Sequence, residues 1–337
     1  MRITLTLLFA AFVLPAFARE VPDALQVREG PVNVVLVEVD GKRLAINHGG
    51  AKPFDTLLIT HARRDIVRAA RRSEGGRVFA SKKSRAILSE ADAFWHEWWD
   101  DRFDYYEQQV TQRPVENWPK VETLPDRSFA WNGLDIRILE TPGYTRDAVS
   151  YLLELEGVKI AFVGDLLLAE GKVKDLYSFQ NEIREAKVGG YHGHLGRLHL
   201  WLESLEALRA ENPDVLVPSR GPISRSPSDD IERATALARE IYRNYLSTNA
   251  LHWYFGEERM NACAEMVLGE KHGVRGMPLA EHVGLPSWCH HIGTTKLLVS
   301  DSGRGFALDV GGKNSLATLQ QIAEDGLISE LGGIFAT

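Results

Sequence analysis

Two short segments of this sequence place an imidazole and carboxylates just after apolar runs, where loop side chains can be held for chemistry. His61 and Asp65 lie in Thr60-His61-Ala62-Arg63-Arg64-Asp65-Ile66, and Asp165 closes Phe162-Val163-Gly164-Asp165. Imidazole nitrogens and carboxylate oxygens are ligands for zinc and related cations. The same groups serve as general acids and bases. His192 and His194, in Tyr191-His192-Gly193-His194, form a second His-x-His group that could hold one metal ion together with His61 or Asp165. Each group also has a plainer reading. His61 reads as a hydrogen-bonded pocket histidine without metal, and Asp65 and Asp165 as partners in capping and salt bridges, Asp65 lying in the first turn of a helix. His192 and His194 read equally as a solvated loop. Other chemistries find no footing: the sequence has no Gly-x-Ser-x-Gly elbow, no Lys-bearing phosphate loop and no Gly-x-Gly-x-x-Gly after a strand.

The elements that must position these residues are legible from pattern and punctuation. Val32–Val39, Arg43–Ile46 and Thr56–Thr60 read as strands, the first two joined by an Asp40-Gly41 hairpin. His61–Arg72 reads as a helix whose Arg63, Arg64, Arg68, Arg71 and Arg72 form a solvated basic face. Ser84–Gln109 reads as a long helical stretch with a dense aromatic patch from Phe94 to Tyr106, packed on a sheet or at a cleft rim. Phe129–Leu139, Ser150–Leu155, Lys159–Val163 and Val215–Val217 are further strands, and Leu200–Ala210 and Asp229–Thr248 are helices. The expected class is a layered α/β (α+β) arrangement with mixed sheets.

The beginning of this pattern recurs. Val32–Gly50 and Thr294–Gly312 align without gaps, with identities at Leu36/Leu298, Val37/Val299, Gly41/Gly303, Ala45/Ala307, Gly49/Gly311 and Gly50/Gly312. Thr56–Thr60 corresponds to Gly333–Thr337. The recurring piece comprises one hairpin, one helix over about 315–324 and one strand. It cannot close a core alone, so it is expected to pack on the first domain or a partner, or to begin a domain of a longer chain. The expected division is 1–18, 27–235, a helical linker over 236–285, and 286–337 as the truncated second copy.

The 337 residues are 44% hydrophobic and 25% charged, which excludes a disordered or fibrous chain. A formal charge of -7 argues against a dedicated nucleic-acid binder. Cys263 and Cys289 are the sole cysteines, too few for a disulfide framework or a four-cysteine metal site. Arg2, the apolar run to Val13, and Ala16-Phe17-Ala18 read as a signal peptide cut after Ala18, so a secreted or periplasmic location is expected. No stable membrane span is expected in the mature chain.

With Thr60–Ile66, Thr141-Pro142-Gly143-Tyr144-Thr145, Phe162–Asp165 and Pro218-Ser219-Arg220-Gly221-Pro222 in this order, Val32 to Arg225 resembles the metallo-β-lactamase superfamily. That family's motifs are Thr-His-x-His-x-Asp-His, Thr-Pro-Gly-His-Thr, a strand ending in Gly-Asp, and a late Ser-His-Gly-Pro. The Thr-Pro-Gly and Ser-x-Gly-Pro forms look closer to its glyoxalase II-like branch. The resemblance implies an αββα sandwich with zinc at one edge of two sheets. It also implies hydrolysis of an ester, thioester, amide or phosphoester of a small-molecule substrate by a metal-bridging hydroxide. It assigns metal positions to His61, Asp65 and Asp165, with Asp65 and Asp165 at the catalytic centre. Arg63, Ile66, Tyr144 and Arg220 stand at the other four of the seven positions, all histidines in the family. Arginine has no lone pair to give at physiological pH.

Zinc is therefore expected to be partial or absent in the first domain, with the guanidinium groups of Arg63 and Arg220 in the space of the metals and Tyr144 in that of an imidazole. A mononuclear hydrolase built on His61, Asp165, His192 and His194 is a further option. The competing reading is a non-catalytic binding or scaffold protein. A homodimer and an intramolecular pairing of the two copies are both compatible assemblies.

Overall fold

β2 (Val34–Val39) is apolar at almost every position, so it must be covered on both faces. Val35 and Val37 face one core while Leu36 faces another. The computed structural model that shows this describes residues 20–73, 75–94, 116–189, 195–248, 250–269, 284–292, 295–310 and 315–335. The expected signal peptide, the Trp95–Tyr106 part of the aromatic patch, His192 and His194 lie outside these residues.

The chain divides into a first unit, Met1–Met277, and a second, Pro278–Thr337. In the first unit β1 (Leu25–Arg28), β2, β3 (Lys42–Ile46), β4 (Phe54–Ile59), β5 (Gly75–Ala80) and β6 (Glu122–Thr123) form a sheet in that spatial order. β1 to β3 are antiparallel, and β3 to β6 run parallel. A second sheet has the order β11 (Val215–Pro218), β10 (Val158–Gly164), β9 (Val149–Leu155), β8 (Leu134–Glu140), β7 (Ser128–Trp131). The sheets face each other across a core containing Val37, Leu44 and Leu58 from one, and Tyr151, Ile160 and Val217 from the other. α1 (Arg64–Arg72) covers the outer face of the first sheet through Ile66, Val67 and Ala70. α2 (Lys82–Ser89) adds Leu88, its first turn capped by the Ser81 hydroxyl accepting from the Ser84 N–H.

The second sheet is covered on its outer face by α3 (Leu198–Ala210), α4 (Pro227–Thr248) and α5 (Ala250–Leu268), with Trp201, Leu205, Tyr242 and Met260 fully buried beside Ala161 and Val163. The layers are thus helix, sheet, sheet, helix, as expected. Residues 236–248 and 250–268, expected within a linker, are instead parts of α4 and α5 whose Tyr242, Leu246, Cys263 and Val267 belong to this core. Both cysteines are free thiols, Cys263 buried and pushed up to about 12 by that burial.

The second unit has one described sheet, in the order β12 (Cys289–Ile292), β13 (Thr295–Val299), β14 (Arg304–Leu308), β15 (Glu330–Phe335). Its pairings are antiparallel, antiparallel and parallel, the same sequence as β1 to β4. The structure corrects the ungapped alignment by one residue. Leu297 pairs with Ala307 where Leu36 pairs with Ala45, so Leu36 corresponds to Leu297 rather than Leu298. The longer turn Ser300–Gly303, against Asp40-Gly41, absorbs the shift. β15 pairs Ile334 with Ala307 as β4 pairs Leu57 with Ala45, so the strand correspondence holds. No helix among the described residues is long and apolar enough to cross a membrane.

Candidate functional site

The loops after β4, β10 and β11 meet at one edge of the two sheets because polar side chains tie them together. Asn47, at the end of β3, donates from Nδ2 to Thr60 Oγ1 at 3.0 Å and to Ser219 Oγ at 2.8 Å. Its Oδ1 accepts the Thr60 N–H at 2.9 Å. Asn33 donates to the carbonyls of Pro218 and Gly221 at 3.1 and 2.8 Å. These bonds link residues far apart in sequence, and both asparagines are buried. Gly164, before Asp165, has φ +60°, and a Cβ there would stand 2.6 Å from Thr60 Oγ1 and 3.3 Å from His61 Nδ1. Only glycine lets the Gly-Asp turn approach the His61 loop this closely.

His61, Asp65, Asp165 and Arg220 come together. His61 is buried, its Nδ1 2.9 Å from Thr60 Oγ1 and its Nε2 3.5 Å from Asp165 Oδ2. Nε2 makes no hydrogen bond. Arg220 forms a fork on the fully buried Asp165, with Nε to Oδ1 at 3.0 Å and Nη2 to Oδ2 at 2.9 Å. The same Nη2 donates to Asp65 Oδ2 at 2.5 Å, and Nη1 to the Pro31 carbonyl at 2.5 Å. Lys174 Nζ adds a bond to Asp65 Oδ2 at 2.9 Å. Burial pushes the Asp165 carboxyl up, but His61 and Arg220 outweigh it and hold the group well below the carboxylate range. At Asp65 burial likewise pushes the carboxyl up, and Arg220 with Lys174 outweighs burial and holds the group below its ordinary value. Burial lowers Arg220, but the two carboxylates dominate and raise it further.

A second polar cluster adjoins the first. Arg63, expected on a solvated helix face, is fully buried, because it precedes α1 and turns inward. Its Nη1 donates to Tyr144 Oη at 2.7 Å, its Nη2 to Ser178 Oγ, and its guanidinium lies 4.1 Å from the centroid of the Tyr144 ring. Tyr144 in turn donates to Asp175 Oδ2 at 3.0 Å, with Arg63 Nη1 3.8 Å from the same oxygen. Burial is the chief reason that the Tyr144 hydroxyl is raised above its ordinary value, so it stays a neutral donor. The Tyr144 ring stands edge-on to His61 with centroids 6.1 Å apart. Ile66, at the third histidine position, belongs to the apolar core against Leu57 and Ile59.

Sequence reasoning missed Lys174, Asp175, Ser178, Arg197 and Asp147. Asp147 Oδ2 accepts the Ala62 N–H at 2.7 Å and the Ser84 hydroxyl at 2.6 Å, fixing the His61 loop to α2. Asp175-x-x-Ser178 carried a local signal, since Asp175 Oδ1 accepts both the N–H and the hydroxyl of Ser178. Buried Arg197 donates to the Tyr144 and Ser178 carbonyls, with no local signal.

The chain is similar to several solved structures over part of its length. A metallo-β-lactamase family protein from Thermus thermophilus is 19% identical with a TM-score of 0.46, covering 72% of this chain and 90% of its own. A β-lactamase domain protein from Burkholderia ambifaria is 19% identical at 0.44, with 70% and 78% covered. An archaeal superfamily protein from Sulfolobus tokodaii is 15% identical at 0.42, with 64% and 86% covered. No family model and no curated protein matches the chain. The layer order and the meeting of the four motif loops at one sheet edge decide the architecture. The first unit has the metallo-β-lactamase fold.

Within that metallo-β-lactamase fold, the donor set does not fit a pair of zinc ions. The space between Asp65 and Asp165 is taken by a guanidinium nitrogen, and Arg63 and Tyr144 are tied to each other. Among the described residues no group of three or more His, Cys, Asp or Glu side chains is placed to hold a metal ion. His61 Nε2 is the one family ligand atom left without a hydrogen bond there.

Proposed function

We propose that the first unit is a zinc-independent binding or scaffold domain of the metallo-β-lactamase superfamily, rather than the metal-dependent hydrolase the superfamily name implies. One observation carries this reading. Arg220 Nη2 lies within hydrogen-bond distance of both Asp65 and Asp165, so a fixed organic cation balances the two carboxylates that a metal pair would otherwise bridge. Arg63 plays the corresponding part against Asp175 and Tyr144. A guanidinium supplies charge but activates no water, so the geometry favours a pre-organised pocket over a hydrolytic centre. The glyoxalase II-like branch rests on the Thr-Pro-Gly and Ser-x-Gly-Pro forms alone. A secreted or periplasmic location rests on the first eighteen residues, and intact mass of native protein starting at Arg19 is the expected result.

Plasma-emission metal analysis tests the main reading. Protein purified after incubation with zinc and gel filtration is expected to carry well under one zinc per chain, and His61→Ala is expected to leave that value unchanged. Near-stoichiometric zinc that disappears in His61→Ala would restore the hydrolase reading. Zinc that instead depends on His192 and His194 would favour the mononuclear centre.

A further inference from the structure

Arg28 ends β1 opposite Val34 of β2, and it has no hydrogen bond or ion pair to a described residue. A guanidinium carries five donors and no acceptor, so it is ordinarily forked onto an acid. Arg220 and Arg137 are forked in this way here. By the strand register, the counterpart of Arg28 in the second unit is Ile292, which packs against that unit's apolar cluster. The β1–β4 pattern thus accepts an apolar residue at this position, and the first unit places a cation there.

Arg28 lines a groove of about 440 Å³, a size within the range of small-molecule sites. Val34 and Leu36 give the groove an apolar part, and Gln26 and Lys52 a polar one. Lys52 Nζ donates to Gln26 Oε1 at 2.7 Å, which fixes a second cation on the same groove. No acidic side chain is among the described residues that line it. Gly50 has φ +70°, and a Cβ there would stand 3.1 Å from Val34 Cγ1 and 3.6 Å from Arg28 Nη2. The glycine brings the chain past Val34 and the guanidinium without filling the space between them. The field of Arg28 reaches His48: burial first, and then the charge of Arg28, lower that imidazole. His48 Nδ1 lies 2.7 Å from Ser73 Oγ and 3.3 Å from the Gly50 nitrogen.

We propose that this groove is a binding site for a small aliphatic carboxylate, with its oxygens on Arg28 and Lys52 and its chain on Val34 and Leu36. Two cations on one groove without a carboxylate repel each other, and an anion between them removes that cost. A flat acceptor with two oxygens matches the guanidinium fork better than a spherical ion does. The mixed lining gives an alkyl chain a place that a bare anion would leave empty. None of these residues belongs to the Arg220 cluster, so the site stands apart from the reading of that cluster.

The probe is sodium hexanoate, titrated into the full chain at low salt and followed by calorimetry. Saturation with a Kd of about 1 mM or tighter is expected. Arg28→Gln with Lys52→Gln is expected to weaken binding at least about tenfold while leaving the melting temperature at the wild-type value. The ring signals of His48, followed by NMR, report where the anion sits. A bound carboxylate offsets the charge of Arg28, so the His48 pKa is expected to rise in the wild type and to stay unmoved by hexanoate in the double variant. No saturation up to about 10 mM, or undiminished affinity in the double variant, overturns the proposal. So does hexanoate that binds with His48 unmoved, because it then sits elsewhere. Inorganic phosphate and 1-hexanol are titrated in parallel. Phosphate bound as tightly as hexanoate overturns the carboxylate assignment in favour of a general anion site, and 1-hexanol bound as tightly overturns the role given to Arg28.

Discussion

Arg220→Ala is expected to be the most damaging single replacement at the site. It removes the fork on fully buried Asp165 and the bond to Asp65, leaving two carboxylates facing one space. Breaking a buried ion pair from one side costs about 3–5 kcal/mol, far more than the pair itself contributes. For a domain of this size the melting temperature should fall by roughly 6–20 °C. Removing both carboxylates in the same background, as Arg220→Ala with Asp65→Asn and Asp165→Asn, should recover at least half of the loss. That recovery separates an electrostatic role for Arg220 from simple packing. Arg137→Ala, which breaks an exposed pair with Glu211, is the control and should change stability by about 1 kcal/mol or less. A melting temperature for Arg220→Ala within about 2 °C of the wild type would remove the argument that a guanidinium replaces the metals.

Local turn chemistry made the fold legible, and long-range pairing hid most of the site. The Asp40-Gly41 and Asn132-Gly133 turns, the run Thr56–Ile59 and the Gly-Asp ending of β10 each announce themselves within a few residues. The four motif loops could therefore be placed in order. β5 was missed because Gly75-Gly76-Arg77 opens it with three exposed residues, and its pairing with β4 supplies the order that its own sequence lacks. Arg63 was read with its neighbours as one solvated face. Its position just before α1 turns it inward, while Arg68 and Arg72 do face solvent. Lys174 meets Asp65 across 109 positions and Arg220 meets it across 155, and no periodicity records such contacts. Arginine at the place of a histidine was visible in the sequence. What it does there depends on which carboxylates the fold carries to it.

Acid should release the same cluster, and its pH window follows from the sign of the shifts. Asp165, Asp65 and Asp175 are all held below the ordinary carboxylate value in the folded chain. At Asp175 burial opposes the lowering, and the Ser178 hydroxyl and Arg63 overcome it. A carboxyl lowered on folding contributes stability that is fully present above its unfolded pKa, about 3.9 for aspartate. That contribution disappears as pH falls through the folded value, because the unfolded chain then binds protons that the folded chain refuses. The part of the denaturant midpoint that these carboxylates supply should therefore stay level from neutral pH to about pH 5 and then fall steeply. The buried Asp165 alone should account for a few kcal/mol of that fall. Asp165→Asn in the Arg220→Ala background has neither the carboxylate nor its cation, so its slope below about pH 5 should be clearly shallower than the wild type's. Equal slopes in the two proteins would mean that acid unfolds the chain through other carboxylates, and that the Arg220 cluster is not its acid-labile point.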